Sequence, residues 1–475
     1  MEIPYFIQNL WETRKTLVIV VVILVVFVIV SGLVLLFIPK NKIIMELNIP
    51  REKVELIWWK PKFPQMNSSS YRNIIGKFRS INPNVNIKII DKTYGPDYYR
   101  DLLLAMAGGE GPDIFSIHNN DLRAYLPYIS PISTFQNRDP NTQERILELY
   151  KRDFVDMVVR DTISQDQVYG ITSYVDNMQM YVNRDLLNQA GIPLPARTWD
   201  DLLVQIPALT RQSQFGGVFE QSAISLGTGN IIGSPVPNID KHHEILPLLI
   251  FQKGNPIYDN IKEEVTLNRK GDRGNNPSLE AINFYYSFAD PKDERYTWSN
   301  TSPNNVEAFT SGRLAYIIHY SYFASEIQRR NPRLNFEVVP LPQFDGTNRK
   351  TFGFFYMDVL SKRLEQNFAK KYWAEQFMLY LSQSEQQKEL ATITGFPPAR
   401  RDVIQEQLLG DRQKQVFAQG ALIADSYYRP DPAKTERIWS EMIYRMHFEN
   451  RTAAQVLDDA VKEYQALVRA GPKPR

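Results

Sequence analysis

The 475-residue chain contains no cysteine. Disulfides, thiolate catalysis, zinc-thiolate centres and anchoring through a lipid-modified cysteine are thereby excluded. An excess of one charge is missing too: 55 Lys and Arg stand against 53 Asp and Glu, with no basic block or interleaved basic-aromatic motif, so the chain lacks the field that attracts nucleic acid. Gly227-Thr228-Gly229 followed by Gly233 misses the dinucleotide fingerprint by one residue and reads as a turn. His242-His243-Glu244 lacks the i, i+4 spacing that sets two histidines on one helical face, and it reads as a loop. The adjacent pairs Asp200-Asp201, Glu263-Glu264 and Asp458-Asp459 cannot face each other on a helix, so none makes a glycosidase acid/base couple. No catalytic residue, metal or cofactor is expected.

What the chain does have is a long apolar run. Residues 17–38 are Val, Ile, Leu and Phe, broken only by Ser31 and Gly32. As a helix this run extends about 33 Å, enough to cross a hydrocarbon core of about 30 Å, and it predicts a single-pass membrane anchor with the rest of the chain outside the cell. The competing reading is a cleaved secretory signal, with Val30-Ser31-Gly32 as a weak cleavage site. Arg14 and Lys15 before the run balance Lys40 and Lys42 after it, so charge does not settle the orientation.

The remainder exceeds one typical domain and predicts two lobes. Its 25 Tyr, 25 Phe and 7 Trp can furnish both a core and flat surfaces for stacking on a ligand. Val54 to Trp59 reads as a strand; Ser70 reads as the cap of a helix carrying Tyr71, Ile74, Ile75 and Phe78. Val85, Ile87 and Ile89 alternate as a second strand, Tyr98, Leu102 and Met106 line a second helix, and Ile114 to Ile117 form a third strand. Strands alternating with amphipathic helices predict an open, mostly parallel α/β sheet, whose ligands gather at the carboxyl ends of the strands. That places Trp58-Trp59-Lys60 and His118-Asn119-Asn120-Asp121 on one edge. A second unit of this kind begins near Gly170, with a strand over Met178, Met180 and Val182 and helices capped by Thr198 and Asn276.

Several fragments in a fixed order carry a family likeness. They include the Asn82-Pro83 turn, Gly111-Pro112-Asp113-Ile114, Tyr169-Gly170-Ile171-Thr172, Tyr181-Val182-Asn183-Arg184-Asp185-Leu186-Leu187, Thr198-Trp199-Asp200-Asp201, Ala308-Phe309-Thr310-Ser311-Gly312-Arg313, Val339-Pro340-Leu341-Pro342 and Gly395-Phe396-Pro397-Pro398. From about residue 53 to 468 the chain resembles extracellular solute-binding proteins of the carbohydrate-uptake class, the maltose-binding-like group. The resemblance implies a two-lobed, type II clamshell: residues 51–172 with about 357–394 form one lobe, and 173–356 with about 395–470 the other. Residues 1–50 form the tail, membrane helix and linker. It also implies a polar ligand, a mono- or oligosaccharide, held in the cleft and delivered to the membrane permease of an ABC transporter. The same clamshell serves a surface sensor or scaffold, and a surface enzyme acting on polysaccharide is the third reading.

Family positions then nominate ligand contacts: Trp58, Trp59, Lys60, Asn119, Asn120, Asp176, Tyr322, Gly353, Phe354, Arg400 and Trp439. Several have a plainer reading. Trp58 alternates with Val54 and Leu56, so one of Trp58 and Trp59 belongs to the core. Asn119-Asn120 reads as a turn, Asp176 as a loop cap, and Trp439, at helical spacing with Met442 and Ile443, as core. Ser116 stands where some sugar binders carry a large aromatic, and His319-Tyr320-Ser321-Tyr322 replaces a glycine-tryptophan pattern; both weigh against a maltose-like ligand.

Overall fold

Apolar side chains at alternate positions define strand β1, Val54–Lys62, in which Leu56 and Trp58 are buried. The computed structural model describes residues 49–472 apart from 94, 214–217, 230–237 and 272–273. The expected membrane run, its flanking Arg14, Lys15, Lys40 and Lys42, and Gly233 of the glycine stretch lie outside the described residues. Among the described residues, no helix is long and apolar enough to cross a membrane.

Strands β2 (Val85–Thr93) and β3 (Ile114–His118) flank β1 and run parallel to it. The pairing of β1 with β2 continues through Lys60↔Asp91, Pro61↔Lys92 and Lys62↔Thr93. This corrects the expected edge, since Trp58-Trp59-Lys60 sits inside the strand and Phe63 stands at its carboxyl end. The helix Arg72–Ile81 packs Ile74 and Phe78 inward. Its entry is a short turn capped by Asn67 in a reciprocal capping box with Ser70, so Asn67 and not Ser70 is the N-cap.

A second sheet contains β4 (Gln179–Asn183), β5 (Phe219–Ile224), β6 (Leu314–His319) and β7 (Phe336–Val339) in the order β5-β6-β4-β7. Strands β5 and β6 are parallel, whereas β4 runs antiparallel to both β6 and β7. Strand β8, Thr351–Phe354, pairs antiparallel with Asp176–Asn177. Strand β9, Tyr356–Ser361, then joins the first sheet antiparallel to β3. Both sheets are therefore mixed rather than mostly parallel, because strands passing from one sheet to the other enter in reverse sense.

Each sheet has its own apolar core. Leu56, Trp58, Ile114, Phe115, Val359 and Phe377 belong to one, and Tyr181, Trp199, Leu249, Tyr316, Ile317 and Trp439 to the other. Each fully buried large apolar side chain contributes about 1.5–3 kcal/mol. The helix His242–Gln252 is buried on nearly every side. It lacks the one-faced period of a surface helix, and the His242-His243 pair, expected in a loop because it lacks i, i+4 spacing, is found at its start.

The first sheet encloses an ion pair. Lys60 Nζ donates to both carboxylate oxygens of Asp358 on β9, at 2.8 and 2.9 Å. The Ser116 hydroxyl and Trp58 Nε1 donate to the same carboxylate. Burial pulls the Lys60 pKa below its ordinary value, against the opposing effect of Asp358. Asp358→Ala leaves a buried ammonium without its counter-charge and should cost about 3–5 kcal/mol in urea unfolding of the full chain. Adding Lys60→Met to Asp358→Leu should recover most of that loss; equal destabilisation by the single and double variants would show that the pair is not the cause.

Candidate functional site

A cleft of about 410 Å³ lies where the carboxyl ends of β1, β3 and β6 meet. Phe63 and Gln65 follow β1, His118 ends β3, and Tyr320 and Tyr322 follow β6. Lys241 and Glu244 enter from the start of the His242–Gln252 helix. Tyr174, Phe354 and Phe396 come from segments passing between the two sheets. Tyr322 and Phe354 each pack against both cores, so a change in the spacing of the cores must be felt at these two rings.

The rings are held by one another. His118 lies parallel to Phe354 with centroids 5.8 Å apart, Tyr320 meets the Phe354 edge at 4.8 Å, and Tyr174 stacks on Phe396 at 4.7 Å. Tyr320 Oη donates to Glu244 Oε2 at 2.9 Å. Burial, reinforced by the Arg429 charge, lowers the His118 pKa well below its ordinary value. The ring is neutral at pH 7; its Nδ1 accepts from the Asn120 amide at 3.2 Å, which leaves Nε2–H as the donor. Such a site offers flat faces for apolar C–H surfaces, with Glu244, Gln65 and Lys241 for hydroxyl groups. Among the described residues no cluster of His, Asp or Glu could hold a metal.

Of the residues nominated from the sequence, Tyr322 and Phe354 line this cleft. Asn119 and Asn120 line a second hollow of about 370 Å³ together with Arg123, Arg160, Ser426, Tyr427 and Tyr428. Others are turned inward. Trp58 is fully buried, edge-on to Tyr71 and Phe377. Trp59 is half-buried beneath the Lys92 ammonium, 3.7 Å from its ring. Lys60 is spent on Asp358. Trp439 is 1% exposed and donates to Tyr427 Oη. Arg400 is bound by Asp153, Asp402 and the Ser382 carbonyl, beside a groove of the first core. At Gly353 a Cβ would meet Ala424 at 2.9 Å, so close packing, not a ligand, explains the glycine. Trp58, Lys60, Trp439, Arg400 and Gly353 therefore stand outside the lining of the 410 Å³ cleft.

Asp176 is fully buried beside the cleft, where one oxygen accepts from the backbone of Ser321 and Asn177. It thereby ties the Tyr320–Tyr322 turn to the segment crossing between the cores. Cleft-lining residues not nominated from the sequence are Phe63, Gln65 and Glu244. Phe63 and Gln65 were hidden by the underestimated length of β1, and Glu244 by the reading of its helix as a loop.

Two α/β lobes with an aromatic cleft between their strand ends define a solute-binding clamshell. Residues 73–416, more than half the chain, match the family described as bacterial extracellular solute-binding protein, and the chain belongs to that family. The family places the folded domain outside the cytoplasm. An arabinooligosaccharide-binding protein of Halalkalibacterium halodurans is 22% identical over 364 residues, covering 74% of this chain and 72% of the relative. Two solved structures share the fold. The cyclic alpha-maltosyl-1,6-maltose binding protein of Arthrobacter globiformis has a TM-score of 0.70 at 14% identity, covering 88% of this chain and 100% of that one. The sugar-binding protein MalE of Xanthomonas citri has 0.68 at 16%, covering 88% and 98%.

Burial raises the Asp176 pKa to about 7, partly offset by the Ser321 and Asn177 hydrogen bonds. The unfolded value is about 3.9, so the folded state holds the extra proton between the two. This group's contribution to stability is full below pH 4 and is lost as pH rises through 7. The melting temperature of the wild type relative to Asp176→Asn should fall across that range, corresponding to roughly 4 kcal/mol. Parallel pH profiles for the two proteins would remove the assignment.

Proposed function

We propose that the protein is a membrane-tethered receptor that captures a carbohydrate between its lobes and delivers it to the permease of an ABC transporter. The observation that carries this reading is the cleft itself, where Tyr322 and Phe354 span both cores beside the polar groups of Glu244, Gln65 and His118. The oligosaccharide-binding relative supports the ligand class. The run 17–38 supplies the tether and substitutes for a lipid anchor that a cysteine-free chain cannot carry. The lobes are residues 51–172 with about 357–394, and 173–356 with about 395–470. Ala399 and Ile404 pack in the first core and favour a last crossing beyond Ile404.

Closure needs contacts that the open form lacks. Arg123, on the first core, reaches Tyr258 Oη and Asn260 Oδ1, each at 3.2 Å, and lies over the Tyr428 ring at 4.5 Å. Arg160 binds Asp425 and, at 2.9 Å, Ser426 Oγ. These two arginines act as clasps between the lobes.

Calorimetric titration of the full-length chain in nanodiscs with mono- and oligosaccharides tests the reading. Saturable binding without turnover is expected; turnover would favour an enzyme, and silence across the panel a different polar solute. Tyr322→Ala should weaken binding by at least about tenfold, the equivalent of roughly 1.4 kcal/mol. Arg123→Ala should weaken it about three- to tenfold by depopulating the closed form, with a larger radius of gyration in X-ray scattering; an unchanged radius would rule out the clasp.

A further inference from the structure

A smaller pocket, of about 210 Å³, lies beside the aromatic cleft, and four residues, Gln65, Tyr322, Ser325 and Phe396, line both. The two cavities therefore adjoin along that side, whereas the 370 Å³ hollow around Asn119 and Asn120 shares no lining residue with the cleft. Like the cleft, the pocket is bordered by both cores: Phe396 belongs to the first, Phe417 to the second, and Tyr322 packs against each. Its remaining wall includes the end of the helix Arg401–Gln407 and the start of the helix Arg412–Ile423, which contribute Gln407, Gln413 and Lys414.

We infer that this pocket is an annex of the cleft, taking a second neutral, hydroxylated unit of the same ligand. On the carbohydrate reading, on which the annex depends for its ligand but not for its geometry, that unit is a further sugar residue or a branch. At about 210 Å³ the pocket falls short of the roughly 300–1,000 Å³ usual for a ligand site, so it is too small to act alone. Its chemistry suits hydroxyl groups. Gln65, Gln407 and Gln413 are half-buried, and among the described residues their side-chain amides have no hydrogen-bond partner within the protein. An amide both donates and accepts, which matches a hydroxyl. An anionic unit is disfavoured, because the Asp411 carboxylate already occupies the helix start that would attract one. It accepts there from the backbone N–H groups of Gln413 and Lys414 at 3.0 and 3.2 Å. Tyr322 and Phe396 line both compartments, so a ligand that fills both must pass these two rings.

Calorimetric titration of the full-length chain with arabinose, glucose and their linear two- and three-residue oligomers tests the annex. Wild-type affinity should rise about tenfold or more from one residue to two. Changing both Gln407→Ala and Gln413→Ala should lower the two-residue affinity about fivefold or more, the effect of two neutral hydrogen bonds, and hold the single-sugar affinity within about twofold. Gln413→Trp, at a position outside the cleft lining, fills the pocket and should abolish the gain from the second residue. Equal wild-type affinity for one and two residues, or losses that fall equally on both, would overturn the annex. If no carbohydrate binds the wild type, the carbohydrate reading fails by itself. The annex is then judged by a crystal structure of the unliganded protein. An open passage past Tyr322 and Phe396 supports it, and a closed wall there overturns it.

Discussion

The buried pair of Lys60 and Asp358 holds together the part of the molecule on which the rest depends. Lys60 is on β1, Asp358 is on β9, and the Ser116 hydroxyl of β3 lies between them. A charged pair taken out of water is tolerated only when geometry and extra hydrogen bonds offset desolvation; here Ser116 and Trp58 supply those bonds. Three strands must therefore sit in one register. This also explains why a small residue occupies position 116: a large aromatic there would take the space that the ammonium and carboxylate fill.

From that register the cleft follows. Strand β9 enters the sheet at Tyr356, and Asn119 holds the adjoining Phe355 through its backbone N–H at 3.0 Å and its side-chain oxygen at 3.4 Å. Phe354 is then fixed against His118 and Tyr320, at the point where both cores touch it. On the opposite crossing, Asp176 fixes Ser321 and so the turn bearing Tyr322. The cleft-lining rings are thus placed by hydrogen bonds to the segments that pass between the two cores, which lets a shift of one core alter the cleft without unfolding either.

Much of the local structure was legible because it depends on neighbours in the chain. The caps at Thr198 and Asn276 are present as expected, each satisfying backbone donors that any helix start exposes. Cleft-lining residues were legible unevenly. Tyr322 and Phe354, nominated from the order of family fragments, line the cleft. Alternation set Trp58 on the face of Val54 and Leu56 but could not say whether that face or the face of Trp59 meets the core; the fold buries Trp58. Glu244 was hidden because a helix buried all round carries no one-sided period.

Composition and local pattern alone determined the absence of thiol chemistry, the lack of a nucleic-acid field, the α/β class and most element starts, since these depend on residue type and on spacing within one turn or strand. Tertiary structure decided which side chains line the cleft and which are turned into a core. Those outcomes depend on pairings between residues far apart in the chain, such as Lys60 with Asp358 and Asn120 with Arg429. Burial gives such pairs their energetic weight, and only the folded chain decides what is buried.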